Sequence, residues 1–436
     1  MRIVYSILFF CLVSPTMAQV AWTWTELNSM PDRTSNNAVT EADVNGIKHV
    51  YSFGGIDTTK LYSGIHLKSY RYNTLTDAWD TIAPLPDTLG KIAAGASTVN
   101  NMVYIIGGYH VFSNGSEISS DKVHRYDPVN NVYLSDGAAI PIPIDDQVQA
   151  VWRDSLIFVV TGWSNNGNKP DVQIYNPYTD TWAAGTSTPN NNTYISFGAS
   201  GVIIGDTIYY NGGVAGSFSF TSRPYLRKGI IDPANPTNIT WSYPDDNPGD
   251  KGYRMAAASY GNKCFWIGGA GVAYNYDGIA YNGSGGVDPL HRILHYDVVD
   301  QYWYEGLGAP YGIMDLRGIA RISPTKFIIC GGMEAGQQVT NRAFELEYDP
   351  IAGGIEESEI FDLEIFPNPA KDQLTVKALD ATSGTIAVYS TLGKIVLQTP
   401  FSGTTAQLDL SAISAGTYFV RLTTLDRTYQ ARVTVH

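Results

Sequence analysis

Six short segments of this chain end in a pair of small residues: VYSFGG (Gly54-Gly55), VYIIGG (Gly107-Gly108), IFVVTG (Thr161-Gly162), IYYNGG (Gly212-Gly213), CFWIGG (Gly268-Gly269) and FIICGG (Gly331-Gly332). Their first members lie 53, 54, 51, 56 and 63 residues apart. Three positions before each pair stands Tyr51, Tyr104, Phe158, Tyr209, Phe265 or Ile328, always large and apolar or aromatic. A strand wants such a side chain on its buried face, and paired glycines let the backbone pass close to a neighbour or adopt positive φ. A period of this length points to one supersecondary unit repeated many times, not to a single irregular core.

A second signature follows each pair. It runs from Tyr72 to Trp79, Tyr126 to Tyr133, Tyr175 to Trp182 and Tyr296 to Trp303, with turn formers such as Asp127-Pro128 and Asn176-Pro177 between. That spacing predicts strand, tight turn, strand. Ile231-Asp232-Pro233 to Trp241 is a stretched copy, and Tyr348-Asp349-Pro350 has no closing Trp after it. Trp24 stands seven residues before Pro31, as Trp79 does before Pro86 and Trp182 before Pro189. The segment Ala21–Leu27 is therefore expected to supply the last strand of the sixth repeat, with Trp24 as its closing aromatic. Such a strand removes the open edge that a sheet otherwise presents.

With its glycine doublets and spaced Tyr and Trp, the region 19–350 resembles the kelch-repeat β-propeller family. The resemblance implies an all-β fold, a six-bladed kelch β-propeller closed by an N-terminal strand. Thr161 for the first glycine of blade three and Tyr133 for the Trp of blade two depart from the pattern. Composition agrees: Gly (43) and Tyr (29) are abundant and charged residues make up only 16%, which argues against disorder, coiled coil and long surface helices. A net charge of −13 disfavours a nucleic-acid or anionic-membrane partner.

Residues 1–18 read as a secretory signal peptide: Arg2, an apolar run from Ile3 to Val13, and a small-residue site ending at Ala18. No other segment approaches 18 uninterrupted apolar residues, so no membrane insertion is expected. Cys264 and Cys330 fall at offsets that point to opposite strand faces, which predicts two buried, unpaired thiols.

Beyond a linker at 351–361, residues 362–436 alternate apolar and polar positions between turn signals, the pattern of a small all-β, Ig-like sandwich. Pro367-Asn368-Pro369, the Val388-Tyr389 to Gly393 turn, Leu408-Asp409-Leu410-Ser411 and Ala415-Gly416-Thr417-Tyr418-Phe419-Val420 make this tail resemble the C-terminal sorting domain of proteins exported by the type IX secretion system. The resemblance implies recognition by that machinery in the periplasm. The cargo would then be released or attached to the outer surface of a Gram-negative bacterium.

The loops before each first strand and after each glycine pair emerge on one end of such a propeller, called here the loop face. Ahead of the first strands stand Arg33, Lys91, Gln147, Arg254 and Arg317, with Gly198 in blade four. Four cations around one mouth would suit an anionic or polyhydroxylated ligand; the competing expectation is that each bonds to its neighbouring blade. After the glycine pairs, Tyr109, Trp163, Tyr274, Tyr276 and Tyr281 are placed to stack on sugar rings, and the long blade-five insertion is the expected lid or ligand wall. These residues point to a glycan or extracellular protein as partner.

No nucleophile elbow, zinc-protease motif or phosphate loop is present. His291 and His295 sit too far apart along a strand to share a metal. Asp245–Asp250 reads first as a solvated turn, though such a cluster could hold Ca²⁺. No metal or cofactor is expected. The expected function is an exported kelch-propeller binding protein. The alternative is a metal-independent sugar mutarotase or epimerase resembling the six-bladed sialic acid kelch enzymes, with Glu334 as the weak candidate acid/base.

Overall fold

The computed structural model describes residues 21–216, 220–305, 309–350, 360–378, 381, 383–390, 394–424 and 428–436. The expected signal peptide and residues 351–359 of the expected linker lie outside these; Ile360 already opens a strand, Ile360–Asp362.

Among the described residues of the repeat region, six four-stranded antiparallel meanders follow one another. The first contains Ala38–Val44, Ile47–Ile56, Ile65–Asn73 and Ala78–Ile82. The fourth contains Phe197–Ile204, Thr207–Ala215, Tyr225–Asp232 and Asn235–Asp246. Second strands are covered on both faces by adjacent blades, so they read as continuous apolar runs; all five residues of Lys263–Ile267 are buried. Outer strands such as Ala78–Ile82 are mostly exposed. Between blades the cores interlock: Phe158 and Ile174 of the third pack with Ile208 and Tyr210 of the fourth, each fully buried side chain contributing roughly 1.5–3 kcal/mol.

The N-terminal strand Ala21–Leu27 pairs antiparallel with Ala343–Asp349 and completes the sixth sheet. Its register corrects one expectation. The cross-strand partner of Tyr348 is Trp22, as Trp79 is of Tyr72 and Trp182 of Tyr175, whereas Trp24 faces Leu346. Trp22 packs on Tyr348 at 5.2 Å and on Phe265 of the preceding blade at 4.9 Å. The Trp-to-Pro count misplaced the closing residue by two because a loop, not a fixed turn, separates them.

The glycine pairs are the joints of the ring. The second glycine donates its N–H to a loop carbonyl of the next blade: Gly108 to Ile144 (2.9 Å), Gly213 to Gly252 (2.7 Å), and Gly332 back to Thr34 (2.9 Å). A Cβ on Gly107 would lie 2.2 Å from the same Ile144 oxygen, at φ +69°, so no larger residue fits. Blade three solves the joint differently. Thr161 Oγ1 accepts the N–H of Ser196 in the next blade (2.8 Å), so the side chain replaces the glycine link.

The described residues of 360–436 form a five-stranded and a three-stranded sheet around a separate core that includes Leu374, Val388, Leu408 and Val420. Asn368 fastens the Pro-Asn-Pro segment to the last strand, donating to Arg432 O (2.8 Å) and accepting from Thr434 N (3.1 Å). Cys264 and Cys330 are buried and unpaired, as expected.

Candidate functional site at the loop face

A closed circle of backbone hydrogen bonds lies at the loop-face end of the first strands. Ala93 donates to Asn36 O, Asp146 to Ala93 O, Gly198 to Asp146 O, Arg254 to Gly198 O, Leu316 to Arg254 O, and Asn36 to Asp315 O, at 2.8–3.3 Å. One residue per blade, Asn36, Ala93, Asp146, Gly198, Arg254 and Asp315, takes a left-handed conformation to make this turn. The equivalent positions are therefore these six. Of the residues aligned from sequence only Gly198 and Arg254 are in register; Arg33, Lys91, Gln147 and Arg317 are not.

Among the described residues the expected cations do not form an open mouth, and the competing expectation describes most of them. Arg254 is buried, with Nε and Nη2 on Asp146 at 3.0 and 2.6 Å and Nη1 on Asp315 at 2.8 Å. Tyr253 and Tyr274 flank the guanidinium at 5.1 and 5.5 Å. Burial opposes its charge, but Asp146 foremost outweighs burial and holds the group well above its ordinary value. Arg317 donates to Gln147 O (2.9 Å) and approaches Asp146 at 3.6 Å. It lines a central cavity of about 70 Å³ below the circle, with Gln147, Gln149, Ser200 and Met255. Lys91 is buried away from the axis on Asp87 (2.7 Å) and His124 (3.0 Å), and burial pushes its ammonium down. Arg33 is exposed.

The aromatic residues are also brought together, but largely as packing. The insertion between Ile267 and Ile293 lies across the mouth. Tyr274 is fully buried beside Tyr253. Tyr281 packs on Phe220 at 4.8 Å, and Trp163 packs on Phe197 and Phe220 at 5.4 and 5.6 Å. Tyr276 rests half-exposed on the cluster of Ile56, Ile65 and buried Tyr109 from blades one and two. Burial raises the hydroxyls of Tyr109, Tyr253 and Tyr274 well above the ordinary phenol value. Glu334 accepts from Arg342 at 3.0 Å and from Thr340 at 3.4 Å.

The acids Asp145, Asp146 and Asp315 were missed from sequence, although each stands within two residues of a residue singled out there. Asp145 is buried and accepts from Ser119 (2.6 Å); burial first, then Asp146, raises its carboxyl well above the usual range. Arg227 was missed too, because an arginine early in a third strand carries no sequence signal of burial. Among the described residues no group of three or more His, Cys, Asp or Glu is arranged to hold a metal ion. The Asp245–Asp250 turn is tied by Asn247 to the carbonyls of Pro248 and Asp250.

Comparison with known proteins agrees with both halves of the chain. Residues 93–133 match the Kelch motif and residues 364–436 the secretion system C-terminal sorting domain. Kelch-like protein 36 of Bos taurus is 23% identical over 195 residues, 45% of this chain and 29% of that protein. Kelch-like protein 26 of Mus musculus is 31% identical over 94 residues, 22% of this chain and 15% of that one. The chain thus matches under a third of the length of these relatives. The solved structure described as "Structure of YjhT" superposes with a TM-score of 0.58 at 17% identity, covering 73% of this chain and 95% of that one. Among the described residues no helix is long and apolar enough to cross a membrane. The sorting domain directs the chain through type IX secretion to the outer surface or surroundings of a Gram-negative bacterium. The chain is a kelch-repeat β-propeller protein with a type IX secretion-system C-terminal sorting domain.

Proposed function

We propose that this exported propeller is a binding module whose glycan or protein ligand lies across the loop face. The observation that supports this reading is the filled mouth. Arg254 is already neutralised by two carboxylates, and the blade-five insertion packs over it with Tyr274 buried. A ligand then meets the tops of the loops, where Tyr62 (45% exposed), Phe112 (40%), Ile118 (45%) and Ile279 (43%) present apolar surface beside half-exposed Tyr276. Aromatic loop tips of this kind favour broad contact over enclosure of a small molecule.

A glycan array probed with the full secreted chain tests this, with a Tyr62→Ala/Phe112→Ala/Tyr276→Ala variant alongside. The proposal expects array ligands whose affinity drops at least about tenfold in the variant. Undiminished binding by the variant contradicts it.

The second reading, a metal-independent sugar mutarotase or epimerase, draws on Glu334. Its carboxylate is one-third exposed at the loop face beside Arg342, an acid and a cation 3.0 Å apart. NMR of anomeric exchange in free sialic acids separates the two readings: exchange accelerated by the protein and lost in Glu334→Gln favours the enzyme.

A further inference from the structure

Five cationic side chains are buried among the described residues: Lys91, Arg227, Arg254, Lys263 and Arg317. Four meet a carboxylate: Lys91 on Asp87 at 2.7 Å, Arg254 on Asp146 at 2.6 Å, Lys263 on Asp297 at 2.9 Å and Arg317 near Asp146 at 3.6 Å. Arg227, at 0% exposure, has no carboxylate partner among the described residues. Its guanidinium is cradled by carbonyl oxygens instead. Nε donates to Thr193 O (2.6 Å), and Nη1 to Gly212 O (2.6 Å) and Tyr225 O (2.8 Å). The rings of Tyr210 and Tyr225 lie 5.1 and 5.4 Å from its centre.

That cradle orients the cation without neutralising it. Carbonyls and ring faces carry only partial charge, and a buried ion without a counter-charge costs several kcal/mol. Burial pushes the guanidinium down to about 10, with the charge of Arg223 adding to the effect, so it remains protonated at neutral pH. Nη2 of Arg227 and Nε of Arg223 are buried with no hydrogen-bond acceptor among the described residues.

The surroundings lie at the loop-face end of blade four. Tyr225 and Arg227 stand at the start of the third strand of blade four with Arg223 two residues before it, Thr193 and Tyr194 precede its first strand, and Tyr243 lies near the end of its fourth. Arg223, Tyr194 and Tyr225 are half-buried and Tyr243 is exposed, so the spot meets solvent at its edge. Tyr225 and Tyr243 pack edge to face at 5.3 Å.

We propose that Arg227 and Arg223 form an anion subsite on the loop face that takes the carboxylate of an acidic glycan, with Tyr194, Tyr225 and Tyr243 bordering the sugar. Arg223 is near enough for its charge to be felt by Arg227, each carries an unmet donor, and the arginine fork suits carboxylate geometry. Aromatic side chains beside the cations favour a sugar ring over an extended acidic peptide. In biological role the subsite rests on the binding reading above; its chemistry is tested apart from it.

Calorimetry of the full secreted chain with glucuronic acid, glucose and an oligo-aspartate peptide provides the test. Glucuronic acid binds saturably and glucose at least about tenfold more weakly, the difference expected of charge-assisted hydrogen bonds. Arg227→Gln lowers glucuronate affinity about tenfold or more, and Arg223→Gln about three- to tenfold. Should Arg227→Gln not fold, Arg223→Gln and Arg227→Lys carry the same comparison, with Lys restoring part of the affinity. The proposal is overturned by equal binding of glucose, by unchanged affinity in the arginine variants, by no binding of glucuronic acid, or by the peptide binding in its place. The loop-face reading fails separately, through the Tyr62/Phe112/Tyr276 variant.

Discussion

Two buried arginines on the same face of this propeller meet opposite fates. At the central mouth, Arg254 is gripped by Asp146 and Asp315, and the blade-five insertion packs over it. At blade four, Arg227 is buried as deeply and stacked between tyrosines just as closely, yet it faces only carbonyl oxygens. In the first, every guanidinium nitrogen of Arg254 has a carboxylate acceptor, and the arginine serves the ring. The second leaves donors unmet, the mark of a place built for something outside the chain. A buried cation without a counter-charge costs more to keep than a paired one, and that cost is what sets Arg227 apart from Arg254.

The largest effect that sharpens this contrast is at the mouth. Arg254→Ala would leave Asp315 without its counter-ion and Asp146 with only Arg317 at 3.6 Å, both at almost no exposure, so a loss of about 3–5 kcal/mol is expected in denaturant unfolding. A loss below about 1 kcal/mol would mean the mouth does not depend on that pairing.

A smaller effect, of opposite sign, comes from the acid beside it. Asp145 has a folded-state carboxyl raised by burial and by Asp146. The sign follows from linkage: a raised carboxyl stabilises the fold below its unfolded value, near 3.9, and this contribution is lost as pH rises through the folded value. Asp145→Asn should therefore be more stable than the wild type at neutral pH in denaturant unfolding. It should also lack the part of the wild-type decline seen as pH climbs from about 4 toward 7. Parallel pH–stability curves would show that Asp145 carries no such penalty.

The sequence made the ring legible and its mouth misleading, for one physical reason. Glycine pairs and Tyr–Trp turns are fixed by local geometry: Gly107 must be glycine because a Cβ would strike the Ile144 carbonyl, and Tyr72 meets Trp79 across a tight turn. The loops leading into the first strands differ in length, so the sequence alone sets Arg33, Lys91 and Arg317 beside Arg254. The true equivalents are Asn36, Ala93 and Asp315. The same loop freedom put the closing aromatic at Trp24 when register assigns Trp22. Reading cations without their acids compounded the error, since Asp146 and Asp315 decide what Arg254 can do. Arg227 gave no sign at all, because its isolation from carboxylates is a property of packing between blades and loops.

The most direct measurement is thermal melting of the full secreted chain at rising glucuronic acid, with glucose as the neutral control, for wild type and Arg223→Gln. A ligand that binds only the folded state raises the melting temperature by mass action. The account predicts a saturable rise for the wild type with glucuronic acid alone, and a curve displaced to higher concentration for Arg223→Gln. Superimposable curves for the two proteins, or an equal rise with glucose, would contradict it.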